Sequence, residues 1–167
     1  RSLQKGANME TLSTDLTTNP TQGDVPFGSL STITESPLKF GLLYVGSDDG
    51  NIQVSKDGGY TWTNISKNLP KTVKGLYVSR VTSSKFKEGR VYATLNGYRN
   101  DHFNSYVFVS EDYGNNWKQI NKDLPAEPVN VLIEDVDNEN ITFIGTDGGL
   151  YVSIDAGNTS MQWNNGM

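Results

Sequence analysis

An eight-residue pattern recurs along this chain and limits its possible folds more than any other feature. The pattern, Ser-x-Asp-x-Gly-x-Thr-Trp, occurs at residues 55–62 (SKDGGYTW) and at residues 110–117 (SEDYGNNW). A third copy begins at Ser153, and we read Trp163 as its tryptophan, delayed by a short insertion. A degenerate copy at residues 2–9 (SLQKGANM) has Gln for Asp and Met for Trp. The copies begin at positions 2, 55, 110 and 153, and this spacing indicates a repeat architecture.

The residue types of this repeat motif predict a turn between two antiparallel strands, because alternating apolar runs lie on both sides of it. The Asp side chain can accept hydrogen bonds from N–H groups of its own turn, and the Gly tolerates positive φ. The Trp is expected to pack under the turn. The residues assigned this structural role are Ser55, Asp57, Gly59, Trp62, Ser110, Asp112, Gly114, Trp117, Ser153, Asp155, Gly157 and Trp163.

The segments between the motifs predict four short strands per repeat, which is typical of a β-propeller blade. The predicted strands are residues 29–34, 42–46, 51–55, 62–65, 78–82, 90–95, 106–110, 117–120, 129–134, 141–146 and 150–153. They divide the chain into blades at 26–70, 71–125 and 126–167, the last with an incomplete fourth strand. Residues 1–25 are either a polar tail or the end of a preceding blade and a linker. The predicted fold is all-β, a partial propeller of about 3–3.5 blades.

Composition restricts the classes of function. The net charge is −5 and the sequence shows no basic cluster, which argues against binding to nucleic acid. No segment approaches the roughly 20 apolar residues of a membrane span. The absence of cysteine excludes disulfides, thiolate metal sites and a cysteine nucleophile. We predict neither a metal nor a cofactor, and we interpret the chain, which starts at Arg1, as a piece of a longer protein.

The repeat motif resembles the Asp-box, or BNR repeat, of sialidases, sortilin-type receptors and xyloglucanase-like propellers. Longer stretches, such as residues 43–51 (LYVGSDDGN) and 96–103 (NGYRNDHF), are similar to bacterial sortilin-like BNR-repeat proteins often labelled glycosyl hydrolases. The resemblance covers residues 1–163 and implies an exported bacterial protein with a longer propeller. It also implies that the motif is structural and lies away from any ligand site.

One predicted connection carries most of the candidate ligand-binding side chains. Residues 96–105 link the second and third strands of the second blade and are longer than a hairpin requires. Tyr98, Arg99, Asp101 and His102 in this stretch could stack on sugar rings and hydrogen-bond to hydroxyl groups. In the alternative interpretation, Arg99 and Asp101 form an ion pair that stabilises the loop, while the aromatic rings cover a blade edge.

Other charged residues give weaker signals. Arg80, on a predicted inner strand, could face the central channel as a ligand-binding group or could bridge two blades. A glycosidase needs two suitably spaced carboxylates. Asp48, Asp49 and Asp147 precede glycines in predicted hairpin turns, where Asp is favoured for backbone reasons. We therefore predict no catalysis by this segment alone.

Two functions are compatible with these features. The first is a non-catalytic scaffold that binds glycan or protein and is completed by the remaining blades of the parent chain. The alternative is part of a sialidase- or xyloglucanase-like glycoside hydrolase whose catalytic residues lie partly outside this segment. Unpaired sheet edges also predict association, in the form of a domain-swapped dimer. In that dimer, the strand near residues 10–13 would complete the last blade of a second copy.

Overall fold

The computed structural model of the protein describes residues 13–18 and 28–164. These residues form three four-stranded antiparallel sheets, each with its strands in chain order. The strands are β1 (Leu30–Glu35), β2 (Leu43–Ser47), β3 (Ile52–Ser55), β4 (Thr63–Asn64), β5 (Tyr77–Ser83), β6 (Val91–Gly97), β7 (His102–Ser110), β8 (Lys118–Ile120), β9 (Val129–Glu134), β10 (Thr142–Thr146), β11 (Gly149–Ser153) and β12 (Met161–Gln162). The predicted all-β partial propeller of four-stranded blades is confirmed.

The N-terminal predictions fall largely outside this description. The degenerate motif at residues 2–9 lies outside the described residues, as does most of the strand predicted near residues 10–13. Within the described ranges, helical structure is limited to single 3-10 turns. These turns are Ser66–Asn68, Lys71–Val73 and Tyr98–Asn100. The first two lie in the connection between the first and second blades, on either side of Pro70, which has no N–H to give to a sheet.

The hydrophobic core lies between neighbouring blades. One cluster joins the first blade to the second and contains the fully buried Tyr44, Leu95 and Phe108. A second cluster joins the second blade to the third and contains Leu132 and Ile144. The second blade contributes to both clusters, so it buries apolar side chains on both faces. A blade of this kind therefore needs a neighbour on each side.

Hydroxyl side chains tie the inner strands β1, β5 and β9 together. Ser31 Oγ donates to the carbonyl of Val78 in the next blade, at 2.7 Å. Ser79 Oγ donates in the same way to the carbonyl of Val129, also at 2.7 Å. The same contact thus recurs at both blade junctions, and it holds the three inner strands side by side.

The connection predicted at residues 96–105 is shorter than expected. Strand β6 continues to Gly97 and β7 begins at His102, and these two residues are paired across the hairpin. The remaining link is the 3-10 turn Tyr98–Asn100 followed by Asp101, whose φ is +52°. The prediction of a long loop was wrong because polar residues near the tip of a hairpin can still belong to its two strands.

The third blade has a short fourth strand, at the place where the sequence predicted an incomplete one. Strand β12 pairs with β11 through Val152 and Met161, and its two residues match the length of β4 in the first blade. The predicted swapped dimer required this position to be open for a strand from a second copy. Since the chain fills the position itself, the structure gives no support to that form of dimer.

The strand register also changes the interpretation of Trp163. The N–H of Trp163 donates to the carbonyl of Leu150, just as the N–H of Ile65 donates to the carbonyl of Ile52. Trp163 therefore lies at the position of Ile65, and Ser160 lies at the position of the motif tryptophan. The insertion inferred from the sequence was wrong, because residue identity suggested an alignment that the backbone pairing does not follow.

The Ser and Asp side chains of the repeat motif make the same hydrogen bonds in all three described copies. In the first copy, Ser55 Oγ donates to Asp57 Oδ1 at 2.8 Å and accepts from the N–H of Gly59 at 2.8 Å. The N–H of Thr61 also donates to Asp57 Oδ1, at 2.9 Å. The corresponding bonds in the other copies are made by Ser110, Asp112, Gly114, Asn116, Ser153, Asp155, Gly157 and Thr159. Each motif is therefore a turn closed by its own side chains.

We expect these aspartates to make the chain less stable in acid. The Thr61 hydroxyl and N–H donate to Asp57 and lower the pKa of Asp57 to about 2. Because this pKa is lower in the folded chain than in the unfolded chain, the stabilisation is present above the unfolded value of about 3.9 and is lost as the pH falls towards 2. Denaturant unfolding across this pH range should show a shallower loss of stability for Asp57→Asn than for the wild type.

Asp137→Asn is the matched control for this test. The Asp137 carboxylate makes no hydrogen bond to other described residues, so its replacement removes a negative charge without removing a hydrogen bond of the repeat motif. Equal slopes for Asp57→Asn and Asp137→Asn would contradict the role assigned to the motif aspartate.

Candidate functional site

The turns between the second and third strands of all three blades meet at one end of the sheets. Arg99 from the second blade lies 3.6 Å from the Asp48 carboxylate of the first blade. On its other side, Asn96 Nδ2 donates to Asn130 Oδ1 at 3.4 Å, and Asn130 Nδ2 donates to Asp147 Oδ1 at 2.7 Å. A polar network therefore crosses the three blades at this end.

A cavity of about 210 Å³ lies within this network. Its lining residues are Tyr77, Asn96, Tyr98, Arg99 and Asp147. The Arg99 guanidinium carbon lies 5.1 Å from the centroid of the Tyr77 ring, which is cation–π geometry. The ring and the Asp48 carboxylate together hold the guanidinium at the edge of the cavity. The lining therefore combines a cation, an amide, a carboxylate and two aromatic rings.

Two exposed aromatic rings form one side of this site. Tyr98 is 64% exposed and Phe103 is 46% exposed, and their rings meet edge to face with centroids 6.0 Å apart. Apolar side chains left in solvent beside a cavity are a common mark of a binding surface. Because the Tyr98–Asn100 turn and the start of β7 place the two rings, they are held by regular backbone structure.

The structure brings together only part of the predicted set of ligand-binding residues. Tyr98 and Arg99 line the cavity, whereas Arg80, Asp101 and His102 do not. Asp101 ends the 3-10 turn in a left-handed conformation. His102 Nε2 lies 2.8 Å from the hydroxyl of Tyr106, against which its ring packs. Arg80 is exposed on β5, and its role in ligand binding stays a prediction.

Three residues that line the 210 Å³ cavity were not predicted from the sequence to bind a ligand. Asn96 lay within the conspicuous stretch at 96–105, but its amide was not singled out. Tyr77 and Asp147 come from other segments and reach the cavity only because neighbouring blades stack. The signal available in the sequence was the equivalent position of the three hairpin turns, since equivalent turns of successive blades lie on the same end of a propeller.

A second cavity, of about 580 Å³, lies beside the connection between the first and second blades. Three lysines, Lys67, Lys71 and Lys74, contribute to its lining together with Asp49 and Asn51. The lysines were missed because they lie between the predicted strands at 62–65 and 78–82, outside every repeat motif. Their spacing of four and three residues places all three on the same short connection.

The described residues do not assemble a pair of catalytic carboxylates in the 210 Å³ cavity. Asp147 is the single carboxylate in its described lining, and Asn130 occupies one of its oxygens. No group of three or more His, Asp or Glu side chains within residues 13–18 and 28–164 is arranged to hold a metal ion. In the same part of the chain, no helix is long and apolar enough to cross a membrane.

Comparison with known proteins gives one curated relative, and no family model matches the chain. Over 94 residues, or 56% of the chain, it is 28% identical to the oligoxyloglucan-reducing end-specific xyloglucanase of Emericella nidulans. The matched region is 10% of that enzyme, so the chain spans about a tenth of its relative's length.

Solved structures show the fold. An ancestral GH74 enzyme superposes with a TM-score of 0.64 at 16% identity, covering 82% of this chain and 18% of that one. The GH74 xyloglucanase of Xanthomonas campestris gives 0.63 at 13% identity, covering 84% and 24%. YCF48 from Cyanidioschyzon merolae gives 0.56 at 19% identity, covering 80% and 36%. The chain is therefore a segment of a β-propeller, similar in fold to the propellers of xyloglucanases and of YCF48.

Proposed function

We propose that this chain is a glycan-binding part of a propeller protein, and that the ligand lies across the 210 Å³ cavity. The observation that carries the proposal is the exposed Tyr98–Phe103 pair beside a cavity with polar groups from three blades. A sugar ring has an apolar face that can stack on an aromatic ring and hydroxyl groups at its edge. Asn96 and Asp147 can exchange hydrogen bonds with such hydroxyl groups.

A neutral plant-type glucan is the ligand class we favour. The curated relative is named for its action on oligoxyloglucan, and the charges around the cavity are already engaged within the protein. Arg99 lies beside Asp48, and the Asp147 carboxylate accepts from Asn130. A neutral ligand requires no additional unpaired charge in the site. Because polysaccharides of this kind lie outside cells, we propose that the protein is exported. We also propose that its repeat motif is related to that of the sortilin-like proteins.

The chain acts in this proposal as a non-catalytic binding wall, since its cavity presents one carboxylate. A second candidate is part of a glycoside hydrolase, with the second carboxylate supplied by another blade of the parent protein. The xyloglucanase relative favours that candidate. Turnover of xyloglucan by the parent protein, lost on Asp147→Asn, would favour the hydrolase over the scaffold.

Tyr98→Ala is expected to weaken binding of a xyloglucan oligosaccharide about tenfold, or roughly 1.4 kcal/mol, because it removes the stacking ring. Isothermal titration calorimetry measures this. Tyr60→Ala is the matched control, because Tyr60 is 61% exposed but lies in the first repeat motif, at the opposite end of its sheet. Equal affinities for the two variants, or no binding of neutral or acidic oligosaccharides by the wild type, would contradict the proposal.

A further inference from the structure

One face of the first blade carries an apolar groove of about 400 Å³. The groove is lined by Leu30, Ile33, Phe40, Leu43 and Trp62, among others. Phe40 is 80% exposed and Ile33 is 68% exposed. In the second and third blades, the corresponding face is covered by the preceding blade. The contacts at those two junctions show what kind of segment fits the groove.

At the junction of the first and second blades, an isoleucine after the fourth strand meets the repeat motif of the next blade. Ile65 lies directly against Gly114, where an added Cβ would be 2.9 Å from Ile65 Cβ. The indole of Trp117 donates to the carbonyl of Ile65 at 3.2 Å. The second motif thus receives a branched side chain and a carbonyl from the blade before it.

The junction of the second and third blades repeats the isoleucine contact. Ile120 lies against Gly157, where an added Cβ would be 2.9 Å from Ile120 Cβ. The N–H of Asn121, the next residue, donates to the carbonyl of Gly157 at 2.7 Å. The isoleucine contact is therefore a regular feature of the junctions in the described chain.

Among the described residues, no isoleucine of a preceding blade contacts the first motif. The indole of Trp62 donates to the carbonyl of Gly59 within its own turn, at 2.9 Å. Residues 13–18 approach this face, and Leu16 is buried there, with its carbonyl accepting from Gln53 Nε2 at 2.9 Å. Ser13 and Leu16 also line the groove.

The position of Leu16 identifies the register of the segment before it. Leu69 and Leu124 each follow the motif tryptophan of their repeat by the same number of residues as Leu16 follows Met9. Both leucines pack into the cores between blades. In this register Leu12 corresponds to Ile65 and Ile120.

From this register we propose that the groove is the docking site of the N-terminal segment of the chain, with Leu12 seated on Gly59. In this proposal Leu12 takes the place that Ile65 and Ile120 have at the other junctions. The segment then acts as the end of a blade that precedes the first one. This inference does not depend on the ligand proposed above.

Charge argues against a second copy of the chain as the occupant. Glu134 occupies in the third blade the position that Glu35 occupies in the first blade. The Glu134 carboxylate accepts a hydrogen bond from Ser84 of the second blade. In a head-to-tail pair of copies, Asp135 would stand at the position of Ser84, opposite Glu35. Two carboxylates facing each other in an apolar interface repel.

The emission of Trp62 tests the proposal in a full chain carrying Trp117→Phe and Trp163→Phe. Leu12→Asp should red-shift the emission and increase its quenching by acrylamide, and Leu12→Ala should do so to a smaller extent. Leu3→Asp is the control, because residue 3 corresponds to the exposed Lys56 and Glu111. Identical spectra for the Leu12 and Leu3 variants would overturn the proposal. A blue shift that grows with protein concentration and is insensitive to Leu12 would also overturn it, in favour of a second copy.

Discussion

Gly114→Ala is expected to lower the free energy of unfolding by about 3 kcal/mol, through backbone strain and overpacking together. The φ of Gly114 is +87°, a conformation that costs an L-residue roughly 1 kcal/mol or more. A Cβ at this position would also be 2.9 Å from Ile65 Cβ, in a closely packed contact between two blades. Because the motif turn and the first blade's fourth strand both hold their positions, little room exists for relaxation.

Gly75→Ala separates the two causes. Gly75 has a φ of +78°, but an added Cβ would have nothing within 4 Å. Its replacement should therefore show the backbone strain alone, at about 1 kcal/mol. Urea unfolding followed by tryptophan fluorescence measures both variants. If they were equally destabilised, the close contact between Gly114 and Ile65 would not contribute to stability.

Sequence patterns predicted the strands well because each strand carries its own alternation of apolar side chains. Strand β9 was predicted at 129–134 and is observed over the same residues. The repeat motif added the order of the strands, since it marks one turn in every blade. Trp163 was assigned to the wrong position of the motif because the assignment was based on residue type. The true position is set by backbone pairing between β11 and β12, which residue type does not indicate.

The candidate site was predictable only where its residues lie close together in the chain. Tyr98 and Arg99 stand in one polar stretch and were identified there. Tyr77 and Asp147 belong to other segments and join the site through the stacking of blades, which is a tertiary effect. Residue types in a single turn cannot indicate which other turns will lie beside it.

A buried carboxylate of the third blade makes several polar contacts with the second blade. The Glu134 side chain is 2% exposed, and it accepts from Ser84 Oγ at 2.7 Å and from the N–H of Lys85 at 2.8 Å. The hydroxyl of Tyr92 donates to it at 3.0 Å, and the Arg90 guanidinium lies 3.6 Å away. Burial, followed by the charge of Glu134, raises the pKa of Tyr92, so its hydroxyl keeps the proton that it donates.

The junction of the first and second blades lacks this carboxylate, and a buried tyrosine hydroxyl there has no acceptor among the described residues. Ser83 stands in the second blade where Glu134 stands in the third, and Tyr44 stands in the first blade where Tyr92 stands in the second. The buried hydroxyl of Tyr44 has no hydrogen-bond partner among the described residues. The acceptor for a tyrosine hydroxyl at this position is therefore the glutamate of the next blade, where that glutamate is present.

Glu134→Ala is expected to lower the free energy of unfolding by about 3 kcal/mol, because it leaves buried donors and the nearby guanidinium of Arg90 without their acceptor. Glu35→Ala is the matched control: it removes the same side chain from the same strand position, but in the first blade, where it is exposed and accepts only from the N–H of Gly41 among the described residues. That loss should be about 1 kcal/mol or less. Denaturant unfolding of both variants distinguishes the outcomes, and a loss at Glu134 no larger than that at Glu35 would show that apolar packing alone holds the second junction.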